Sequence, residues 1–360
     1  MVQCPVMNWI SWTAIIIGSL IPILVWLFFF CRKNPEKLTS VILTFTAGMI
    51  AVIPIKVLES NWDRAILWME NVNFIEHLEQ LAHIPNLAHF LAFISVSIAV
   101  SLLLFLFTFS LMFVLEVFSG DDSIKIFSRK TARISETPFF FISIGFLIGL
   151  CGFFLSESVP HIAWFLITVG MLEEYVKHLV VRFSDEFQIR CVDDAIQFSI
   201  IVALGFAWVE NVLYFERIWS NGLVDGFGAM FLVFLLRSTL SVGAHVCFSA
   251  IFGYFYGIAH FSSEFFKVVC QENRCRVTRI AHKILHLQNE TLFHNEKMME
   301  GMIVAMVAHT IFNGLLEAGQ VPLAIVFTVV MMLTVLHLYH RFYFYKNNGN
   351  LYNGRKHLTT

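Results

Sequence analysis

Seven ionisable side chains, Glu173, Glu174, Lys177, Glu210, Arg237, His245 and His309, fall inside long hydrophobic stretches of this sequence. A charge at mid-bilayer costs on the order of 2.5–3.5 kcal/mol on the insertion scale. The five charged ones, left unpaired, would together cost on the order of 10–15 kcal/mol, so they must face one another or a protein interior. On a helix, Glu173 and Lys177 are i,i+4 neighbours and can pair. Glu174 then sits about 100° round the axis, above His178, where a carboxylate in a dry setting suits a general base. Glu210 shares a face with Phe206, Asn211 adds an amide beside it, and Gly205 permits close helix approach. Ser241, His245 and Ser249 form an i,i+4 stripe beside Gly243 and Ala244, and His309 and Asn313 lie one turn apart.

Taken singly, the first cluster reads equally as an ion pair near a span end, and a lone intramembrane histidine is most often a hydrogen-bonded structural residue. Polar pairs on four nearby helices are harder to explain by packing. Together the glutamates, histidines and asparagine supply a base, metal ligands and an oxyanion donor. The HExxH pattern of zincin-type peptidases is absent. The residues leave two chemistries standing: hydrolysis by water activated inside the membrane, and proton- or cation-coupled transport.

Either chemistry needs membrane-crossing elements to carry it. Of 360 residues 58% are hydrophobic, 39 are Phe and only 14% are charged, where a soluble domain carries about 25% charge. Mean hydropathy is +0.73. A soluble fold of this length cannot hide that much apolar surface, which excludes an ordinary soluble enzyme and a disordered chain. The net charge of -2 gives no electrostatic reason to expect nucleic acid as a partner. Seven cysteines without a CxxC pair form neither a disulfide framework nor a zinc ribbon.

A helix needs about 20 apolar residues to cross the hydrocarbon core. Nine runs qualify: 10–30, 39–57, 88–116, 138–155, 160–181, 192–214, 234–258, 297–317 and 322–342. The expected fold is all-α, a polytopic transmembrane helix bundle of about nine spans. No Lys or Arg precedes the first run, while Arg32 and Lys33 follow it, so it reads as an anchor rather than a cleaved signal peptide. With the N-terminus outside and the C-terminus cytoplasmic, 18 of the 24 Lys and Arg fall on the cytoplasmic side and only Arg64 and Arg217 outside. The stretch 225–260 is taken as one span with 225–233 as a lead-in or re-entrant piece, because splitting it would invert everything downstream. The expected organisation is three N-terminal spans in 1–137 with an outside amphipathic loop at 58–87, a catalytic bundle at 138–342 and a basic cytoplasmic tail at 343–360. These limits set Glu173 slightly inside the bilayer midpoint and Glu210 about 10 Å towards the outer side, so a common site requires tilted helices or shifted span ends.

The order of the motifs is itself informative. Glu173-Glu174-x-x-Lys177 comes first, then Gly205-Phe206-Ala207-x-x-Glu210-Asn211-x-x-Tyr214. Arg237 with His245 and Gly253-Tyr254 follow, then His309-x-x-x-Asn313. This series resembles the PrsW family of intramembrane proteases, which is similar to the CAAX-prenyl-protease and bacteriocin-processing superfamily. Phe206-x-x-x-Glu210 stands where that superfamily has histidine, as the PrsW branch does. The resemblance covers roughly residues 140–317 and implies an intramembrane endopeptidase in a cell membrane, the bacterial cytoplasmic membrane for that family. Its substrate would be a membrane-anchored protein, an anti-sigma-factor-like regulator by resemblance, with the lipid bilayer as the other partner and no nucleic acid. Carried over by motif, Glu173 and Glu174 are the paired glutamates, one of which activates water. Glu210, His245 and His309 are metal ligands or polarising groups, and Asn313 is the oxyanion donor. Lys177, Asn211 and Arg237 give polar support. A divalent metal such as zinc, or glutamate acting without one, both fit; converging histidines and carboxylates favour the metal.

Overall fold

A computed structural model describes residues 9–31, 38–57, 161–184, 188–221, 227–263 and 289–347, with isolated positions at 59, 60, 64 and 265. Among them the regular elements are all helical. They are α1 (Trp9–Cys31), α2 (Leu38–Ile50), α3 (His161–Ser184), α4 (Val192–Asn221), α5 (Phe227–Leu236), a π-helical turn (Arg237–Ser241), α6 (Val242–His260), α7 (Asn289–Glu317) and α8 (Val321–Asn347).

The chain divides into two compact units, residues 1–53 with 173–360, and residues 54–172. In the second unit the described residues are few, and Lys56 pairs with Glu59 there at 2.6 Å. The first unit contains every polar residue singled out above.

Six helical runs are long and apolar enough to cross a membrane: Ser11–Cys31, Leu38–Val57, Val192–Trp219, Gly228–His260, Leu292–Glu317 and Val321–His340. They coincide with six of the nine runs read from the sequence. The run 160–181 coincides with α3, whose Glu173, Glu174, Lys177 and Arg182 set it apart from those six in composition. The runs 88–116 and 138–155 lie outside the described residues, as do nearly all of the 58–87 loop and the tail beyond 347. This is a multi-pass membrane protein. Among the described residues of the stretch 225–260, Gly228–His260 forms a single apolar helical run.

Burial sorts the helices. Two-thirds of the α4 span (67%) is buried, against 11% for α1 and 6% for α8. Along α6 every residue from Val242 to Ala259 is buried except Phe255. The pair α4 and α6 is therefore the centre, with α1, α2, α7 and α8 packed around it. The outer helices turn Ile17, Ile21, Leu24, Phe28, Val326 and Leu333 outward. In water such a surface would aggregate; in a bilayer it meets lipid tails as apolar as itself.

Close approach at the centre depends on small residues. A Cβ on Gly48 of α2 would strike the Val202 carbonyl oxygen, and one on Gly205 of α4 would strike the Phe45 carbonyl oxygen. The two glycines thus clear each other's backbone where α2 crosses α4, and Phe45 stacks on Trp208 beside the crossing at 5.9 Å. On the other side of the centre, Gly253 and Gly257 of α6 admit the backbone of Ile196 and Val192 of α4. Small residues at such crossings let helices associate by dispersion where no hydrophobic force acts between them.

Candidate active site

Helix α3 contributes Glu173, Glu174 and Lys177 on adjacent turns, and all three are at least 95% buried. Charged groups this deep are tolerated only when paired and hydrogen-bonded. Lys177 Nζ donates to Glu174 Oε1 at 2.8 Å and stands 3.9 Å from Glu173 Oε2. The i,i+4 pairing of Glu173 with Lys177 expected from spacing is thus the looser contact, and the i,i+3 partner Glu174 takes the lysine. Both spacings face each other on a helix, and the choice is made by groups arriving from α6 and α7.

From α6, His245 brings Nδ1 to 2.9 Å from Lys177 Nζ and Nε2 to 2.8 Å from Glu210 Oε2. An ammonium has donors only, so Nδ1 accepts, and Nε2–H donates to the Glu210 carboxylate. The other oxygen of Glu210 lies 3.1 Å from Arg237 Nη2. Arg237 also donates from Nε to Asn211 Oδ1 at 3.0 Å and lies over the Tyr214 ring at 4.3 Å. The second motif of α4 is thereby tied to the π-turn, in which the Val242 N–H reaches back five residues to the Arg237 carbonyl. Interruptions of this kind inside α-helices often mark functional sites.

From α7, His309 places Nδ1 2.8 Å from Glu174 Oε1 and Nε2 3.4 Å from Glu173 Oε2. The histidine rings of α6 and α7 meet edge to face at 5.0 Å, and Phe248 lies against His309 at 5.4 Å. Asn313, one turn beyond His309, is half-buried and joins none of these contacts. The different depths that the span limits assign to Glu173 and Glu210 do not keep them apart: one unbroken chain of polar contacts runs from Arg237 through Glu210, His245, Lys177 and Glu174 to His309.

Two buried atoms of this network meet no hydrogen-bond partner, Arg237 Nη2, which has its ion pair with Glu210, and one oxygen of Glu173. Glu173 Oε2 is buried and accepts no hydrogen bond. With Nδ1–H of His309 given to Glu174, Nε2 of a neutral ring presents a lone pair to that oxygen. Two lone pairs facing each other across 3.4 Å call for a cation or a shared proton between them. Glu173, His245 and His309 each offer one ligand atom, and the three atoms lie within 4.8 Å of one another, all buried. Two imidazoles and one carboxylate are the donor set of catalytic zinc sites that keep a further position for water or substrate. The residues present therefore fit a divalent metal. The sequence expectation sets Glu210 with the two histidines as ligands; the group of closely approaching ligand atoms among the described residues contains Glu173 instead, with Glu210 on the Nε2 side of His245.

Two features were missed from the sequence. The π-turn has no signature in Arg237-Ser-Thr-Leu-Ser241, and Phe248, the ring against His309, is one of 39 phenylalanines.

The cluster can be compared with known proteins. Residues 134–272 match the profile of the PrsW family intramembrane metalloprotease. That range takes in the Glu173, Glu210 and His245 motifs and stops short of His309. The chain is similar to Protease PrsW of Geobacillus kaustophilus (strain HTA426), 36% identical over 100 residues, which is 27% of this chain and 39% of that protein. The aligned part thus spans about two-fifths of that relative's length. No solved structure matches the chain. Over residues 134–272 the chain is thus similar to the PrsW family of intramembrane metalloproteases.

Proposed function

We propose that this protein is an intramembrane endopeptidase that cleaves a membrane-anchored protein, with an anti-sigma-factor-like regulator as the substrate type. The observation that carries this reading is the buried group of Glu173, His245 and His309 inside a bundle of membrane-crossing helices. In this reading those three side chains hold a divalent ion, with zinc the best fit to the ligands. The ion, when bound, supplies Lewis-acid activation of water and of the scissile carbonyl.

The rest of the work falls to the chain's own groups. Glu210 and Glu174 each back one histidine and set its orientation, the role carboxylates play behind metal-bound imidazoles. The close contacts of Glu174 fall on Oε1, which leaves Oε2 to take the proton from attacking water. Asn313 is the donor to the developing oxyanion. The less buried end of the network, at Glu210 and Arg237 with side chains 22% and 15% exposed, is where substrate enters. In this reading the bundle has nine spans, with the N-terminus outside and the C-terminus cytoplasmic. A reporter fused after residue 347 should then be active on the cytoplasmic side.

The test compares membrane proteomes of cells carrying the wild-type chain, Glu173→Gln or His309→Ala at equal abundance. At least one membrane-anchored protein should persist uncut in both variants. Identical proteomes would sink the endopeptidase reading. The same chain of contacts would also serve a proton- or cation-coupled transporter. Ion flux into proteoliposomes that is lost in both variants, with no uncut protein accumulating, would favour that reading instead.

A further inference from the structure

The lysine at the heart of the cluster stands where a metal's ligands converge. Lys177 Nζ is within 2.8 Å of Glu174 Oε1, 2.9 Å of His245 Nδ1 and 3.9 Å of Glu173 Oε2. Two of those three residues belong to the group whose ligand atoms approach one another within 4.8 Å. Both nitrogens of His245 are engaged, Nδ1 by Lys177 and Nε2 by Glu210. An ion can draw on His245 only by displacing one of them, and Nδ1 is the nitrogen on the side of Glu174. The lysine side chain is 3% exposed and its ammonium sits over the Phe206 ring at 4.4 Å, so protein rather than water surrounds it.

We propose that Lys177 is a tethered cation that competes with the divalent metal for the Glu173–His245–His309 site, holding the ligands together in the metal-free protein and keeping metal binding reversible. This rests on the metal reading given above. Charge balance supports it. Glu210 and Arg237 cancel each other. Glu173 and Glu174 share one ammonium, so with both carboxylates ionised and both imidazoles neutral the metal-free cluster counts a single net negative charge. Adding a divalent ion turns that into a single net positive charge, with the ammonium at ligand distance from the ion's own partners. Without Lys177 the two glutamates would match the ion's charge, and buried clusters favour neutrality. The lysine thus makes the empty site less costly and the filled site more so. A metalloenzyme built only for retention would place an apolar or hydrogen-bonding residue there.

Zinc affinity of the full chain in detergent, measured by competition with a chromophoric chelator, tests this. Lys177→Met should bind one zinc at least about tenfold more tightly than wild type, since an ammonium this close to a divalent ion is strongly repelled. The double variant His245→Ala with His309→Ala should lose that zinc. Equal or weaker binding by Lys177→Met, with binding still abolished by the histidine changes, would overturn the competition and leave the metal reading intact. No zinc bound by either protein would overturn both. Should Lys177→Met not fold, the wild type carries the test. Dicyclohexylcarbodiimide activates buried carboxyls, and an amide between Lys177 and Glu174 should form in the metal-free protein, the elements of one water leaving in dicyclohexylurea. Zinc should suppress that product at least about tenfold. An unchanged yield with zinc bound would overturn the proposal.

Discussion

Glu210 Oε2 and His245 Nε2 are 2.8 Å apart although 35 residues separate them in sequence, and Arg237 holds the second oxygen of the same carboxylate at 3.1 Å. The carboxylate is therefore fixed at both ends and fixes the imidazole in turn. Glu210→Gln keeps the shape and removes the charge. It should weaken zinc binding and peptide cleavage by about 10–100-fold, the usual effect of losing a partner behind a metal-bound histidine. Glu173→Gln should abolish both. Zinc titration and cleavage measured on the two variants side by side check this, and equal losses would place Glu210 among the ligands.

Arg237 is not replaceable by lysine. Its guanidinium reaches Glu210 and Asn211 at once while stacking on Tyr214, a geometry an ammonium cannot reproduce. Arg237→Lys should cut cleavage by about tenfold while leaving thermal stability in detergent near wild type. A fully active Arg237→Lys variant would show that charge alone suffices.

The crossing of α2 and α4 should be intolerant of a single methyl group. At Gly48 and Gly205 the obstructing atoms are backbone carbonyls of the opposite helix, which cannot turn aside as a flexible side chain can. Gly205→Ala should destabilise the bundle by about 1–3 kcal/mol. Gly18→Ala, with nothing within 4 Å of the added methyl, should be neutral or slightly stabilising because alanine is the better helix former. Thermal unfolding of both variants in one detergent measures the contrast.

Cys191 lies just before α4, outside the membrane-crossing runs. Burial, with the Asp194 carboxylate close by, pushes its thiol up to about 11. Because the thiolate is the reactive form, it should alkylate on the order of 100-fold more slowly at pH 7 than an ordinary cysteine. Its rate should climb with pH until about 11. Asp194→Asn removes one of the groups holding the proton on and should speed labelling at neutral pH. Maleimide kinetics in a variant keeping Cys191 as its single cysteine follow this, and a rate independent of pH between 7 and 10 would contradict it.

How much of this was legible beforehand depends on the range over which each feature is decided. Apolar runs are a local property, so the six described crossings lie where the hydropathy of the sequence puts them. The polar residues also stood out, because charges inside such runs must pair or face the protein interior, although singly each read equally as a structural ion pair or hydrogen bond. Their pairing did not stand out. Glu173 and Glu174 are adjacent, and both face Lys177 about equally well on an isolated helix. What separates them is His245, 68 residues beyond the lysine, and His309, 135 residues beyond Glu174. Glu173 falls in the group that could hold a metal, while His309 turns its Nδ1 to Glu174. No reading of one helix at a time contains that information.

The π-turn supplies a rotation that the site needs. In an uninterrupted α-helix, residues eight apart such as Arg237 and His245 would be offset by about 80° around the axis. One residue absorbed into a wider turn makes their separation behave like seven, an offset of about 20°. Arginine and histidine then look out along the same meridian and clasp opposite oxygens of one carboxylate. The bulge acts as a vernier on the helix. Deleting one residue from within 238–241 should remove the bulge yet leave arginine and histidine seven apart on a smooth helix, offset by about 20°, so the clasp should survive the deletion.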